Sequence, residues 1–366
     1  MVVAAATRER VRGEIVRLVH RGLGVPELVR AVRPVLNRAV PFDGTCLLTV
    51  DPATLLPTGE VVQDGLPEAV LDRLTEIELR EPDVNKFAAL ARVPTSTASL
   101  SAATRGVLDR SRRQRELRRP SGFADELRSV LTGVGGPWGA LTLLRATGRP
   151  HFAPVEVRFV ASVAAVLADG FRQASLLGTT AGDPADGEVG LLVLAADGSV
   201  ELANRAADRW LDELGAGDRG AARLPLAVRS TAGQARRAAA GAGGPAWARV
   251  RTRTGRWAVV RGSLLGDGPD ARVAVLLDAA RAPELAPLIA DAYRLTDRER
   301  LVTELVARGY STGQIAARLH LSAYTVQDHL KAIFDKSGTG SRGELVARLF
   351  VDQLALRHRG SQGVAP

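Results

Sequence analysis

LTDRERLVTELVARGYSTGQIAARLHLSAYTVQDHLKAIFDKSGTGSRGELVARLF, residues 295–350, spells out four short helices, each opened by its own cap. Three starts have the capping-box form, a hydroxyl followed three residues later by Glu or Gln: Thr296 with Glu299, Ser311 with Gln314, and Ser341 with Glu344. Ser322 is an N-cap for the remaining start, and Gly309 and Gly338 stand where left-handed C-terminal caps are wanted. The apolar residues agree with the caps. Leu301, Val302, Leu305 and Val306 form one stripe, Ile315, Ala316 and Leu319 a second, Val326, Leu330, Ile333 and Phe334 a third, and Leu345, Val346, Leu349 and Phe350 a fourth. Each follows the i, i+3/i+4 spacing of a helix with one buried face. Helices this short are not stable alone, so they must share a core. Only His320 and Leu321 connect the second helix to the cap of the third, which forces a steep crossing of the helix-turn-helix kind.

With Val326, Leu330, Ile333 and Phe334 facing inward, the third helix turns Tyr324, Gln327, Asp328 and Lys331 outward. These residue types suit the major groove of DNA: Gln pairs with adenine, Asp accepts from cytosine N4, and Lys reaches guanine or phosphate. Ser322, Thr325 and the free N–H groups at the helix start suit phosphate. His329, near the inward edge, is expected to pack or to bond a phosphate. A polar face opposite an apolar stripe is also what any solvated helix has, so periodicity alone leaves both readings open.

The segment resembles the LuxR-type helix-turn-helix domain of bacterial transcription regulators. The matching residues are Leu295, Thr296, Arg298, Glu299, Gly309, Ile315, Ala316, Leu319, Leu321, Ser322, Thr325, Val326, His329 and Leu330. Ile333, Lys336, Gly338, Ser341, Arg342, Leu345 and Val346 complete the match. The resemblance implies contacts to double-stranded DNA from Thr312, Ser322, Ala323, Tyr324, Thr325, Gln327, Asp328, His329, Lys331, Lys336 and Arg342. In that family a Lys commonly follows the Thr-Val pair and touches bases. Here Gln327 and then Asp328 stand there, which removes a charge and supplies an adenine-type fork.

Charge fits moderately. Residues 291–366 carry 11 Lys+Arg against 8 Asp+Glu, a net of +3. Affinity from counterion release scales with the phosphates neutralised, so one such module should bind weakly and a homodimer on two half-sites would supply the rest. The whole chain has 366 residues and a net charge of +9, carried far more by Arg than by Lys. That length predicts two or three domains. There is no long apolar run of membrane-span type, and the opening MVVAAATRERVRGE lacks a leader's apolar core. The single Cys46 excludes an internal disulfide and fits a reducing cytoplasm.

The sequence predicts a multidomain α+β chain: a sensor domain over 8–178, a second over 186–280, a linker helix over 281–293, and the all-α four-helix domain over 294–352. In the first, residues 11–19, 26–40, 67–79, 86–91 and 154–177 read as helices, and 46–50 and 138–144 as strands. Three pieces, FDGTCLLTVDPATLLPT (42–58), GGPWGALTLLR (135–145) and FAPVEVRFVASVAAVLADGFR (152–172), resemble a GAF domain. Such a domain implies a small-molecule sensor or a dimerisation module, with no residue set here to fix the ligand. Cys46 is expected as a buried apolar residue and Trp138 as core. Residues 105–119 hold seven Arg against Asp109 and Glu116. They read as a solvated helix or loop, with an anion-binding patch as the alternative.

TTAGDPADG, residues 179–187, is a linker by composition. Beyond it, 190–195 and 200–202 read as strands about the Asp197-Gly198 turn. Residues 204–214 read as a helix, and 248–253, 257–263 and 273–278 as antiparallel strands. VGLLVLAADGSVELANRAADRWL, with Asp197, Gly198, Asn204 and Ala206, resembles a reduced PAS domain. It has no axial His or flavin-reactive Cys, so a relay without cofactor is expected. Catalysis is disfavoured: the five His residues show no metal-binding spacing, no phosphate loop precedes a GK[ST], and one Cys cannot cycle through a disulfide. The sequence therefore points to a DNA-binding regulator, dimeric and with a possible RNA polymerase contact. The alternative is a non-catalytic module that uses the helix-turn-helix for a protein partner.

Overall fold

The computed structural model describes residues 2–176, 188–215, 223–241, 243–268, 270–293 and 295–346. The expected linker at 179–187 and the last stripe residues Leu349 and Phe350 lie outside them.

The chain opens with α1 (Val2–Val19) and α2 (Val25–Ala39), then the hairpin β1 (Gly44–Val50) and β2 (Pro57–Gln63). There follow α3 (Leu71–Arg80), α4 (Phe87–Leu90), β3 (Thr97–Ser99), α5 (Leu100–Ala103), β4 (Phe123–Gly133), β5 (Gly136–Ala146) and α6 (Pro154–Leu176). The strands form an antiparallel sheet in the order β2-β1-β5-β4-β3. One face carries Leu47, Leu127, Leu141 and Leu143, which are buried with Val11, Ile15, Leu28, Val32, Val163 and Leu167 of α1, α2 and α6. Trp138 belongs to this core at 2% exposure, its indole N–H donating to Val134 O at 3.0 Å.

The second unit repeats that strand order. β6 (Gly190–Leu194), β7 (Val200–Ala203), α7 (Arg205–Glu213), α8 (Leu226–Ala239), β8 (Trp247–Arg251), β9 (Trp257–Leu265) and β10 (Arg272–Ala279) give a sheet ordered β7-β6-β10-β9-β8. Helices α7 and α8 fill one face with Ala207, Trp210, Ala227, Val228, Ala232 and Ala235 against Leu192, Leu194, Val260, Val273 and Val275. The chain is thus a mixed α/β molecule with two antiparallel sheets and a helical C-terminal part.

Five elements escape the sequence pattern: β2, β3, α5, β4 and α8. Strand β4 spans eleven residues with Asp125, Glu126 and Arg128 all buried, so the alternation that marks a half-solvated strand is missing. Strand β2 has no fully buried residue. Helix α8 buries mainly small and hydroxyl side chains. The Arg-rich segment 105–119 is corrected at two positions, Arg105, Arg110, Arg115 and Arg119 being exposed as expected. Arg113 and Arg118 are 0% and 3% exposed, bonded to the Glu126 carboxylate at 3.1 and 2.9 Å, and Arg113 also to Asp83 at 2.9 Å. Charges of this kind stay inside only when paired, and their partners lie on β4 and near α3, which a local reading cannot reach. Cys46, expected to be buried, is half-buried: it lines a cavity on the free face of the first sheet, among largely apolar neighbours. Burial pushes its thiol up to about 12.

Helix α9 (Ala282–Ala292) joins the parts. Leu285 and Leu288 sit in the core of the first sheet's helices, whereas Ala286 and Ala290 belong to the C-terminal core. Above it, Arg249 of β8 grips Asp51 with two side-chain bonds of 2.7 and 2.8 Å and reaches Glu284 O at 2.9 Å. Below it, Arg172 of α6 donates to Asp291 O at 3.0 Å, and Arg300 pairs with the Asp291 carboxylate. No described helix is long and apolar enough to cross a membrane.

Candidate nucleic-acid interface

The C-terminal core is built by α10 (Asp297–Ala307), α11 (Thr312–Leu319) and α12 (Ala323–Ser337), with residues 342–346 opening a further helix. Val302, Val306, Ile315, Val326, Leu330, Ile333 and Leu345 are buried together. Leu301, read as part of the first stripe, is instead 40% exposed. Thr296 and Ser311 each close a complete capping box with Glu299 and Gln314. The third expected box is shifted: Ser341 Oγ accepts from Glu344 N at 3.0 Å, but the Glu344 carboxylate accepts from Gly340 N at 2.7 Å. Ser322 caps α12, its Oγ accepting from Thr325 N at 3.0 Å and touching Thr325 Oγ1 at 2.8 Å.

The turn before α12 depends on one residue. His320 caps α11 in the left-handed region at φ 54°, ψ 46°, and Leu321 N bonds back to Ala316 O at 2.9 Å. A non-glycine residue seldom adopts this conformation, and here it lets α12 leave α11 after two connecting residues and the Ser322 cap. Gly338 ends α12 in the same region at φ 64°.

Tyr324 is 73% exposed, and Gln327, Asp328 and Lys331 are exposed beside it on one face of α12. Ser322 and Ala323 are exposed at the helix start, with Thr325, His329 and, on α11, Thr312 half-buried. The remaining two expected contacts have partners inside the protein. Lys336 Nζ bonds both oxygens of Glu299, at 2.8 and 2.6 Å, and Arg342 donates to Tyr310 O. Burial pushes the Glu299 carboxyl up, but Lys336 and the Thr296 bonds outweigh it and hold it below the usual range. Sequence reasoning passed over Arg318, which is exposed on α11 and stacked 4.2 Å over the Tyr310 ring. No motif marks it.

This geometry defines a helix-turn-helix unit: two capped helices joined by a tight turn, the later one presenting a polar face to solvent. Residues 293–349 match the family described as bacterial regulatory proteins, luxR family, so the C-terminal domain is a LuxR-type helix-turn-helix domain. The chain is 37% identical over 96 residues to the transcriptional regulatory protein DesR of Bacillus subtilis, which is 24% of this chain and 48% of that one. It therefore spans about half the length of that curated relative. Among solved structures, Escherichia coli SdiA aligns over 94% of this chain and 97% of its own, at 12% identity and a TM-score of 0.32. The Vibrio cholerae VqmA dimer aligns over 46% and 84%, at 17% identity and a TM-score of 0.21. Scores this low carry no argument about the fold of the N-terminal parts.

Proposed function

We propose that the protein is a sequence-specific DNA-binding transcriptional regulator. Its two sheet domains would be GAF-like over 8–178 and PAS-like over 186–280, joined by the helix at 281–293 to the DNA-binding domain at 294–352. The carrying observation is the solvent-facing row Tyr324, Gln327, Asp328 and Lys331 on a helix fixed by a complete core behind it. Gln327 and Lys331 read base edges, while Ser322, Ala323, Thr325, Thr312 and His329 position the helix on the backbone. Lys336 and Arg342 act first as internal struts. A homodimer supplies the affinity that a net of +3 over residues 291–366 does not. Support for a dimer comes from the outer face of the second sheet, where Leu191, Leu202 and Leu276 are 41%, 66% and 40% exposed. A contiguous apolar face of this kind marks an association surface. We place the protein in the cytoplasm, with no catalytic step of its own.

The test is salt-dependent binding of the full chain to genomic fragments. Once a bound site is identified, Gln327→Ala and Lys331→Ala should each weaken it by about 1–3 kcal/mol. Lys331→Ala should also flatten the salt dependence if that residue takes a phosphate. Binding that is unchanged in both variants overturns the assignment of α12 as the reading helix.

A further inference from the structure

Helices α3 and α8 run side by side, in the same direction, along the seam between the two sheet units. Arg229 of α8 bonds Asp72 and Thr75 of α3 at 2.8 and 3.0 Å. One turn on, Gly233 lies against Leu79, where a Cβ would stand 2.9 Å from the Leu79 side chain. The two helices therefore end together. Their last turns, with the chain that follows α3, line an open groove of about 430 Å³. Arg80 and Lys86 enter it from the first unit, Arg236 and Arg237 from the second. Among the described residues the only carboxylate lining it is Glu81, which Arg73 and Arg112 already clasp.

These four cations are poorly matched. Arg80 has a long pairing with Glu76, at 3.5 Å. Lys86 Nζ and Arg236 donate to backbone carbonyls, Glu81 O at 2.7 Å and Ala195 O at 2.6 Å. Arg237 has neither a hydrogen bond nor an ion pair among the described residues. Each unit feels the other's charge. Burial lowers Arg236, and Arg80 lowers it further against the pull of Asp197. Burial lowers Lys86 too; Glu78 pulls it back, and Arg237 adds to the lowering. An arginine in a last turn suits its own helix, which accounts for Arg80, Arg236 and Arg237 taken singly. It does not account for their meeting. Two helix ends bring only about half a negative charge apiece, so the groove stays positive.

We propose that this groove binds a compact polyphosphate anion of the pyrophosphate class, its oxygens accepting from Arg80 and Lys86 on one side and from Arg236 and Arg237 on the other. Guanidinium groups meet phosphate oxygens with paired N–H bonds, and Lys adds a point charge. The cations stand on both walls, so an anion charged at both ends satisfies them where a single phosphate serves one wall. Size agrees. A site of about 150 Å³ holds a benzene ring, so about 430 Å³ has room for roughly two or three phosphoryl groups. Such an occupant replaces repulsion across the seam by attraction and ties the two units together. Any consequence for DNA binding rests on the reading of the chain as a regulator; the binding site does not.

The experiment uses the full chain with pyrophosphate, tripolyphosphate, orthophosphate and citrate, at constant ionic strength and without divalent metal. Thermal unfolding and titration calorimetry are followed, with DNA binding measured on the same samples. The expected result is saturable binding and a rise in Tm with pyrophosphate or tripolyphosphate, about tenfold tighter than with orthophosphate or citrate. Arg237→Gln removes a side chain that has no internal partner. The variant should unfold cooperatively near the wild-type temperature yet bind pyrophosphate about tenfold more weakly. Lys86→Gln, on the opposite wall, should weaken binding as well, whereas Arg158→Gln, at an exposed position of α6, should leave it unchanged. No saturable binding, equal binding of citrate, or undiminished binding in both groove variants overturns the site. Loss of DNA affinity in those variants with pyrophosphate affinity intact overturns it too, and marks the groove as a duplex-binding surface. No pyrophosphate binding with DNA binding intact sinks this proposal alone. Pyrophosphate binding without DNA binding sinks the regulator reading alone.

Discussion

The two sheets share a strand order yet fill their helix-bearing and open faces differently. In the second, α8 lies so close that a Cβ on Gly262 would stand 2.9 Å from Thr231 O, and Ala232 and Ala235 complete a dry, small-residue contact. In the first, the corresponding space holds Arg113, Arg118, Arg128, Glu78, Asp83 and Glu126, and beside them a cavity. Small side chains let a helix settle directly on a sheet and leave no room for a guest. Buried ion pairs take up that space at a desolvation cost which their mutual attraction must offset. The contrast teaches that one topology can pack small side chains directly beneath a helix in one copy and bury a cluster of ion pairs beside a cavity in the other.

The largest effect that would break this comparison is expected from Glu126→Ala. It leaves Arg118 without its carboxylate partner and weakens the pairing of Arg113 and Arg128, which keep Asp83 and Glu78, and should destabilise the first domain by about 3–5 kcal/mol in urea unfolding. A loss under about 1 kcal/mol would mean that water reaches the cluster freely. Acid should do the same work without mutation. Burial pushes Glu126 up, but Arg113, Arg118 and Arg128 outweigh that and hold it at about 2, below its ordinary 4.5. A carboxyl lowered by folding stabilises the protein above the unfolded value and loses that contribution as pH falls toward the folded one. First-domain stability should therefore decline between pH 4.5 and 2, and Glu126→Gln should remove that part of the slope. For the second sheet, Gly262→Ala should cost about 1–3 kcal/mol by overpacking against α8. A neutral outcome would show that α8 can lift and that the two sheets differ less than their side chains suggest. The smallest effect is expected from Phe87→Leu, which removes the ring over Arg128 for about 1 kcal/mol by the same measurement.

How much could be read from the chain follows the same division. The C-terminal domain was legible because its signals are local: Thr296 and Glu299 are three residues apart, and Val326, Leu330 and Ile333 repeat within one helix. Its exposed row on α12 followed by rotation alone. What could not be read were the partners of Lys336 and Arg342, which lie 37 and 32 residues away. The cavity was hidden for the same reason. Arg118 meets Glu126 only after the chain has turned and entered β4, and Leu226 reaches its wall from another domain. A charge-rich segment such as 105–119 looks solvated until its counter-charges are found elsewhere, and β4 loses its alternation because those counter-charges sit inside it.

Glu299 does two jobs. One carboxylate holds the Thr296 backbone N–H at 2.7 Å and clasps Lys336 at the far end of α12. Tilting the reading helix would therefore unfasten the first turn of α10. On the proposed reading of α12 as the DNA-contacting helix, a head braced in this way would adapt little to a poorly shaped operator, and the bending needed for a good fit would fall to the duplex. If the protein binds as the proposed homodimer, sequences that deform easily between their half-sites should be occupied before stiff ones bearing the same bases.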